Sequence, residues 1–235
     1  MNGSVPPLSP RLSKIAELIG SCVCLADIGT DHAYLPVFMC LSGRAQCAIA
    51  SDIRRGPLKR AADTVRAYHA NDKISLRLGA GLETLAPDEA DAVVIAGMGG
   101  ILISNILDDS ADKLSSADKI ILQPMTAVPE LREYLWQNRW SIESEVLARE
   151  EDKIYNILTV CPPTSDTPAY KPTAAELYLG KALIENRPEY FTEYLHKKRV
   201  KLEKMLRGLK RAASAEAHAK AEYCAKLLSE IDKIQ

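Results

Sequence analysis

Acidic residues stand at the ends of two apolar runs near the start of the chain, where their carboxylates can bind a ligand. Asp27 lies at the end of the run formed by residues 22–28, and Gly29, which permits a tight turn and a close backbone approach, follows it. Asp52 comes 25 residues after Asp27, close to the spacing at which an acidic residue binds a ribose hydroxyl. No G-x-G-x-x-G follows the first run, so a dinucleotide pyrophosphate would lack its usual glycine-rich loop. Asp27 can therefore accept hydrogen bonds from a cationic amino-acid portion and Asp52 from a ribose, in a site that is not a dinucleotide site.

Glycine-rich segments follow two further apolar runs. Residues 79–81 read Gly-Ala-Gly after the run 74–78, and residues 97–100 read Gly-Met-Gly-Gly after the run 92–96. Small residues let a flat ring or a thioether lie directly against the backbone. Because the carboxyl ends of parallel strands meet at one edge of a sheet, all four loops are expected to converge on one crevice. The alternative is that these glycines serve only the turns between strands and helices.

The elements that must position these loops alternate between strands and helices. This alternation predicts an α/β fold with a mainly parallel sheet and helices on both faces. Seven strands are expected, at residues 22–28, 47–53, 74–78, 92–96, 119–123, 141–148 and 154–160. The last two are joined by a polar turn and should form an antiparallel hairpin. A Rossmann-like, mainly parallel sheet that ends in an antiparallel hairpin is the plan of class I methyltransferases.

The remainder of the chain predicts only helices. A stretch rich in proline, serine and threonine has linker composition, so we expect a first domain at 1–162, a linker at 163–172 and a helical domain at 173–235. Apolar residues in steps of three and four, with a break near 213–216, predict an antiparallel helical pair of coiled-coil type. The expected seam comprises Phe191, Leu195, Leu202, Leu206, Leu209, Ala213, Ala217, Ala221, Cys224, Leu228 and Ile231.

The charge of the chain is divided unequally between these parts. Residues 1–170 carry 16 basic and 22 acidic side chains, whereas residues 171–235 carry 14 basic and 9 acidic ones. Residues 197–211 alone hold eight cations against the single acid Glu203. These cations are Lys197, Lys198, Arg199, Lys201, Lys204, Arg207, Lys210 and Arg211. Such a cluster predicts contacts to RNA phosphates, the alternative being the solvated face of a coiled coil.

Four segments together resemble one known family. They read LSPRL at 8–12, ADIGTDHAYLP at 26–36, VIAGMGG at 94–100 and ILQP at 121–124, and the chain also has the hairpin EEDKIY at 150–155. In this combination the chain is similar over its whole length to the bacterial tRNA (adenine-22, N1)-methyltransferases. The resemblance implies S-adenosylmethionine as the cofactor, tRNA as the substrate and a coiled-coil tRNA-binding domain at the end of the chain. It also implies that one chain acts as a monomer.

The resemblance further implies where the cofactor binds. Its methionine end is expected at Asp27, Gly29 and Thr30, its ribose at Asp52 and Ile53, its adenine near Gly79, Ala80 and Gly81, and its methyl group above Gly97, Met98 and Gly99. His32 can bind the cofactor carboxylate or orient the base, the alternative being a structural histidine. Two positions depart from the family pattern, which has G-D-G and Q-P-N. Here Ala80 removes a carboxylate, and Met125 replaces an amide that would face the target base. Backbone groups can serve in place of the carboxylate at position 80.

Three residues are expected to act on the substrate base. Methyl transfer from a sulfonium needs alignment rather than a strong base, because N1 of neutral adenine already carries a free lone pair. Asp31 is expected to stabilise the cation that forms, and Gln123 to replace the amide missing at position 125. Tyr34 can stack on an extruded base or can equally be a core tyrosine. Arg11 is expected either to contact an RNA phosphate or to close the pocket.

Composition sets the outer limits of the function. The chain is 47% hydrophobic and 26% charged, and its longest mainly apolar run is far below the roughly 18 residues of a membrane span. Its start lacks the pattern of a signal peptide, so a cytoplasmic location without membrane contact is expected. The six cysteines have no zinc-site spacing, so no metal is expected. Two alternatives remain open, a non-catalytic cofactor-binding module with a helical interaction arm and a methyltransferase for a small molecule.

Overall fold

The computed structural model describes residues 5–115, 117–212 and 214–234, which form two compact units that meet in sequence between Tyr170 and Lys171. The strands of the first unit are β1 Cys22–Ile28, β2 Ala45–Asp52, β3 Ile74–Leu78, β4 Ala92–Gly99, β5 Lys119–Thr126, β6 Ser141–Glu150 and β7 Lys153–Cys161. Its α-helices are α1 Pro10–Ile19, α2 Tyr34–Leu41, α3 Arg55–Ala67, α4 Gly100–Ser110 and α5 Val128–Gln137. Strands and helices thus alternate as expected.

The seven strands form one mixed sheet in the order β3-β2-β1-β4-β5-β7-β6. The strands from β3 to β5 are parallel, whereas β7 runs antiparallel to both β5 and β6. The chain order reverses between β1 and β4, so the crevice of this sheet opens beyond the carboxyl ends of these two strands. The predicted α/β fold with a mixed seven-stranded sheet and a terminal hairpin is confirmed.

Alternating side chains of the central strands form a separate core on each face of the sheet. Leu25 and Val94 belong to one apolar cluster, and their neighbours Ala26 and Val93 belong to the other. Both faces are therefore buried under helices, which explains why these strands read as continuous apolar runs in the sequence.

Five strands, β2, β4, β5, β6 and β7, are longer than the sequence predicts, and the extensions of β4 and β5 affect the site. β4 continues to Gly99 and β5 continues to Thr126, where predictions ended at positions 96 and 123. Pro124 pairs with Met98 at an irregularity of the ladder, which is a position that tolerates a residue without an N–H donor. The glycine-rich loop of β4 is thereby fixed along the neighbouring strand.

The second unit consists of helices. They are α6 Ala174–Leu179, α7 Lys181–Asn186, α8 Phe191–Leu209 and α9 Ala215–Ile231. The capping box at Thr173 is confirmed, since its side chain accepts from the N–H of Glu176 and the Glu176 side chain accepts from the N–H of Thr173. α8 begins at Phe191 rather than at the predicted Pro188, because Tyr190 has a left-handed backbone with φ 68°.

The helices α8 and α9 contact each other across a short connection. The predicted break is confirmed between Leu209 and Ala215, although Ala213 itself lies outside the described residues. On α9 the prediction named Leu228 for the seam, and Leu227 is the residue that is buried. Within the described ranges, no helix combines the length and the apolar character that a membrane span requires.

Candidate functional site

A cavity of about 320 Å³ opens beside the point where the strand order reverses. It is lined by the turns that follow β1, β2 and β3 and by Met98 near the end of β4, so the four segments converge on one cavity as predicted, although the fourth belongs to the strand and not to a loop. Seven of the residues expected to hold the cofactor line it, namely Gly29, Asp52, Ile53, Gly79, Ala80, Gly81 and Met98. The remaining five, Asp27, Thr30, His32, Gly97 and Gly99, do not line it.

One wall of the cavity was missed by sequence reasoning. Leu102, Asn105, Ile106 and Asp109 of α4 line it. These positions recur at helical spacing, which is the signal that could have found them. Asp109 and Asn105 add polar groups to a wall that is otherwise apolar. The cavity therefore lies between the strand ends and one face of a helix.

The turn after β1 brings the backbone close to its neighbours. The N–H groups of Gly29 and Thr30 both donate to the carbonyl oxygen of Ser51, at 2.7 and 2.8 Å. Gly29 has φ 78°, and a Cβ atom at this position would lie 1.9 Å from the terminal methyl group of Met98. The positive φ therefore favours glycine here, whereas the Met98 methyl group ends a flexible side chain that can move aside.

Asp27 is a buried carboxyl group at the end of β1. Burial raises its pKa to about 6, although the Thr30 hydroxyl and the positive charge of Arg11 both act to lower the pKa. A carboxylate that is held in an apolar setting gains strongly from a cationic partner. Asp27 is thus suited to receive an ammonium group.

Asp52 is the last residue of β2, and one of its two carboxylate oxygens accepts a hydrogen bond within the protein while the other is available to a ligand. Its Oδ1 accepts from the backbone N–H of Arg54 at 2.7 Å, whereas no described residue donates to its Oδ2. The carbonyl oxygen of Asp52 accepts from the N–H of Gly79 at 3.2 Å, which fixes the next loop of the cavity to this one. The arrangement suits Asp52 to accept hydrogen bonds from ribose hydroxyls.

The loop after β3 is held in place by two cationic side chains. Lys113 donates to the carbonyl oxygens of Leu82 and Leu85, at 3.1 and 2.9 Å. Arg77 pairs with Glu89 and also donates to the carbonyl oxygen of Thr84 at 2.7 Å. Hydrogen bonds from Arg77 hold the pKa of the Glu89 carboxyl at about 2. This loop is therefore fixed without the carboxylate that Ala80 lacks.

Gln123 is completely buried, and both ends of its amide are engaged. Its Oε1 accepts from Arg11 at 2.6 Å and from the N–H of Gly97 at 3.2 Å, and its Nε2 donates to the carbonyl oxygen of Pro124 at 2.9 Å. Arg11, expected either to contact an RNA phosphate or to close the pocket, lies in this network with its guanidinium 5.5 Å from the centre of the Tyr155 ring. The network fixes the position of the glycine-rich end of β4, residues 97–99, which form the Gly97 loop.

Asp31, His32 and Tyr34 form a separate group in the loop after β1. Asp31 pairs with Arg60 and lies 3.5 Å from Nε2 of His32. The rings of His32 and Tyr34 are stacked, with centroids 5.3 Å apart and planes inclined by 10°. Tyr34 is 39% exposed, so it is not a core tyrosine and offers an aromatic surface to a ligand.

The eight cations of the second unit differ in their surroundings. Lys198 lies over the rings of Tyr178 and Tyr194, and Arg199 pairs with Glu203 and Asp232. Lys197 is paired with Glu193. The five remaining cations are exposed and have no salt-bridge partner among the described residues; they are Lys201, Lys204, Arg207, Lys210 and Arg211.

Metal binding has no support in the described ranges, where no group of three His, Cys, Asp or Glu side chains is placed to hold an ion. The cavity, by contrast, has the carboxylate of Asp52 and the close backbone of Gly29 that are expected for a nucleoside ligand, and the buried acid Asp27 lies two residues before Gly29.

Comparison with known proteins identifies the relatives of this chain. A family model described as tRNA (adenine(22)-N(1))-methyltransferase matches residues 25–234. The tRNA (adenine(22)-N(1))-methyltransferase of Bacillus subtilis (strain 168) is 44% identical over 151 residues, which are 64% of this chain and 63% of that enzyme. The sequence match thus spans slightly less than two thirds of that relative's length.

Solved structures are similar over nearly the whole chain. The crystal structure of the B. subtilis M1A22 tRNA methyltransferase TrmK has a TM-score of 0.85 and 32% identity, and the match covers 97% of this chain and 98% of that one. The structure of Streptococcus pneumoniae Sp1610, a putative tRNA (m1A22) methyltransferase in complex with S-adenosyl-L-methionine, has a TM-score of 0.83 and 29% identity, and the match covers 97% and 99%. The family expected from the sequence is confirmed, and the chain belongs to the tRNA (adenine(22)-N(1))-methyltransferases.

Proposed function

We propose that this chain transfers a methyl group from S-adenosylmethionine to N1 of adenine 22 in bacterial tRNA. The observation that carries the proposal is the cavity beside the point where the strand order reverses, with Asp27 and Asp52 at the ends of two neighbouring strands. The family model matches this chain over residues 25–234. Nucleoside analysis of tRNA incubated with the protein and the cofactor tests the proposal, because N1-methyladenosine must form.

The residues of the site fit this cofactor. Asp27 binds the ammonium group of the methionine end, and Asp52 accepts from the ribose hydroxyls through Oδ2. The backbone of residues 79–81 contacts the adenine ring, and Gly97 and Gly99 leave room beside the reacting carbon. S-adenosylmethionine, when bound, supplies an electrophilic methyl group on a positively charged sulfur. The chain's task is therefore to hold the two reactants in line and to exclude water.

The target base must leave its stack before N1 can be reached. We assign Tyr34 to stack on the extruded base, because its ring is exposed and is supported from behind by His32. Asp31, which Arg60 holds in place, acts on the positive charge that develops on the base. Gln123 acts as a positioning residue for the Gly97 loop, since both ends of its amide are engaged within the protein.

Cofactor affinity is expected to depend on pH through Asp27. Only the ionised carboxylate attracts an ammonium group, and the pKa of Asp27 before binding is about 6. Below pH 6 the dissociation constant should therefore rise about tenfold per pH unit, whereas between pH 6.5 and 7.5 it should be nearly constant. Calorimetric titration with S-adenosylhomocysteine from pH 5 to 7.5 measures this dependence. Asp27→Asn should bind weakly at every pH, and a wild-type affinity that does not change with pH would exclude this role.

The substitution Asp52→Asn should weaken cofactor binding by roughly 10- to 100-fold, because a hydrogen bond to a charged acceptor contributes about 1.5 to 3 kcal/mol. The amide keeps the size of the side chain and can still accept from Arg54, so the fold of the loop should persist. Asp72→Asn, which changes an exposed carboxylate in a loop, is the matched control and should bind as the wild type does. Equal affinity of the two variants would remove Asp52 from the site.

The second unit is assigned to tRNA binding as a helical hairpin of coiled-coil type. Five cationic side chains are exposed on α8 or directly after it, and phosphate contacts from such side chains supply affinity that does not depend on the RNA sequence.

One chain contains every residue assigned to the cofactor, so a monomer suffices. The sulfonium is already an activated leaving group, so the reaction needs no metal ion. A tRNA substrate is consistent with action in the cytoplasm.

A further inference from the structure

A buried oxygen at the tip of the terminal hairpin lacks a hydrogen-bond partner. Oε2 of Glu150 is buried, and none of the described residues donates a hydrogen bond to it. The nearest cationic atom recorded is Nε of Arg11 at 3.8 Å, which is beyond hydrogen-bond distance. A buried acceptor without a donor is unfavourable, so such a group in a native protein calls for an explanation, such as a catalytic role or a bound water or ion.

The sheet places this oxygen at the edge where the cavity opens. β7 runs antiparallel to β5 with Leu122 opposite Leu158, so the residues before β7 lie beyond the carboxyl end of β5. Glu150 pairs with Lys153 at the tip of the hairpin that β6 and β7 form. The tip of the hairpin therefore extends from the same edge of the sheet as the loops after β1 and β4.

Arg11 connects Glu150 to Gly97, the residue before Met98, which lines the cavity. The guanidinium donates to Gln123, which also accepts from the N–H of Gly97, and a Cβ atom at Gly97 would lie 3.9 Å from Nη1 of Arg11. The Tyr155 ring, at 5.5 Å from the guanidinium carbon, supports Arg11 from the hairpin. Glu150 is thus held next to the loop assigned to the methyl group.

Two side chains close to this loop have no amide acceptor to offer a base. The amide of Gln123 is used within the protein, and Met125 has no amide to offer. Adenine carries a 6-amino group beside N1, and that amino group is a hydrogen-bond donor. When the N1 lone pair forms the new bond to carbon, the C–S bond breaks with its electron pair on sulfur, and the base becomes positively charged at N1 and the amino group.

We propose that Glu150, whose side chain is 31% exposed, recognises the target adenine by accepting a hydrogen from its 6-amino group at the carboxylate. Arg11 is a positioning residue for the carboxylate in this arrangement. The negative charge stabilises the methylated base more than the neutral one, so the contact strengthens as the reaction proceeds. Guanine presents an oxygen at the same place, which the carboxylate repels, so the contact also selects adenine. This inference rests on the proposed function.

The test pairs a change in the protein with a change in the base. We compare wild-type protein and Glu150→Gln on tRNA with adenine at position 22 and on the same tRNA with purine there, which lacks the amino group. Glu150→Gln should methylate the adenine substrate about 30-fold more slowly in single-turnover reactions. Its rate on the purine substrate should change by less than threefold, so its preference for adenine over purine should fall about tenfold.

Two controls separate recognition from structure. Glu151→Gln changes the neighbouring exposed carboxylate and should keep the wild-type preference, and Glu150→Asp should retain more of the preference than Glu150→Gln because it retains the charge. Cofactor affinity measured by calorimetry should be the same in all four proteins. An unchanged preference in Glu150→Gln, or a loss of its cofactor binding, would overturn the inference and leave the proposed function standing. Wild-type protein that methylates neither substrate would overturn both.

Discussion

Gly100→Ala should lower the free energy of unfolding of the first unit by about 3 kcal/mol, because a backbone contact leaves no space for a methyl group. A Cβ atom on Gly100 would lie 2.1 Å from the carbonyl oxygen of Ala127 and 3.0 Å from that of Thr126. Neither contact is with a flexible side chain, so relief requires the turn after β4 and the turn after β5 to separate. The Gly97 loop would move with them, and cofactor affinity should fall as well.

Tryptophan fluorescence during denaturant unfolding measures this change. Both tryptophans, Trp136 and Trp140, belong to the first unit, so the signal reports that unit alone. Gly56→Ala in α3 is the matched control, because its Cβ atom would meet nothing closer than the end of the Arg60 side chain at 3.9 Å. The control should unfold within about 0.5 kcal/mol of the wild type. Equal stability of the two variants would show that the two turns are not held as the structure has them.

Reversing the charge of three exposed basic side chains on α8 should weaken tRNA binding about 100-fold near physiological salt concentration. The variant carries Lys201→Glu, Lys204→Glu and Arg207→Glu, whose side chains are exposed in steps of three along the helix. Loss of three phosphate contacts should also reduce the slope of log affinity against log salt by about 3. Cofactor affinity should be unchanged, since the cofactor site is formed by the first unit.

The control for this experiment applies the same change of charge to the other helix of the hairpin. It carries Lys220→Glu and Lys226→Glu on α9 and Lys233→Glu after it, and it should lose much less affinity. Filter binding or fluorescence anisotropy with unmodified tRNA at several salt concentrations measures both variants. Equal losses in the two would indicate a general effect of net charge, and an unchanged affinity in the α8 variant would refute the assignment of α8 to RNA.

Much of the cofactor site is predictable because its determinants are local in sequence. Acidic residues and glycines directly after apolar runs have a fixed place at the edge of a parallel sheet, whatever the rest of the chain does. Asp52, Gly29 and Met98 accordingly line the cavity. The fold class follows from the same alternation of strands and helices.

The roles of Arg11 and Gln123 were not predictable in this way. They are 112 residues apart in sequence, and their hydrogen bond exists only because α1 packs against the carboxyl end of β5. Likewise, Gly100 resembles its neighbouring glycines in sequence, and only the approach of Ala127 distinguishes it. Long-range contacts of this kind have no signature in a single sequence.

Residues 197–211, which hold the eight cations, show a similar limit of prediction from sequence. The sequence presents eight cations as one cluster, but the rings of Tyr178 and Tyr194 engage Lys198, and Asp232 engages Arg199. Tyr178 and Asp232 lie outside α8, whereas Tyr194 lies four residues before Lys198 on the same helix. The exposed subset, and therefore the choice of Lys201, Lys204 and Arg207 for charge reversal, required the structure.

The most direct measurement is transfer of labelled methyl groups from S-adenosylmethionine to unmodified bacterial tRNA, followed by nucleoside analysis. The tRNA with adenine at position 22 should yield N1-methyladenosine, and the same tRNA with another base at that position should yield none. Label that enters equally in both tRNAs would contradict the assignment to position 22. A protein that binds the cofactor but modifies no tRNA would contradict the catalytic role and favour a binding module instead.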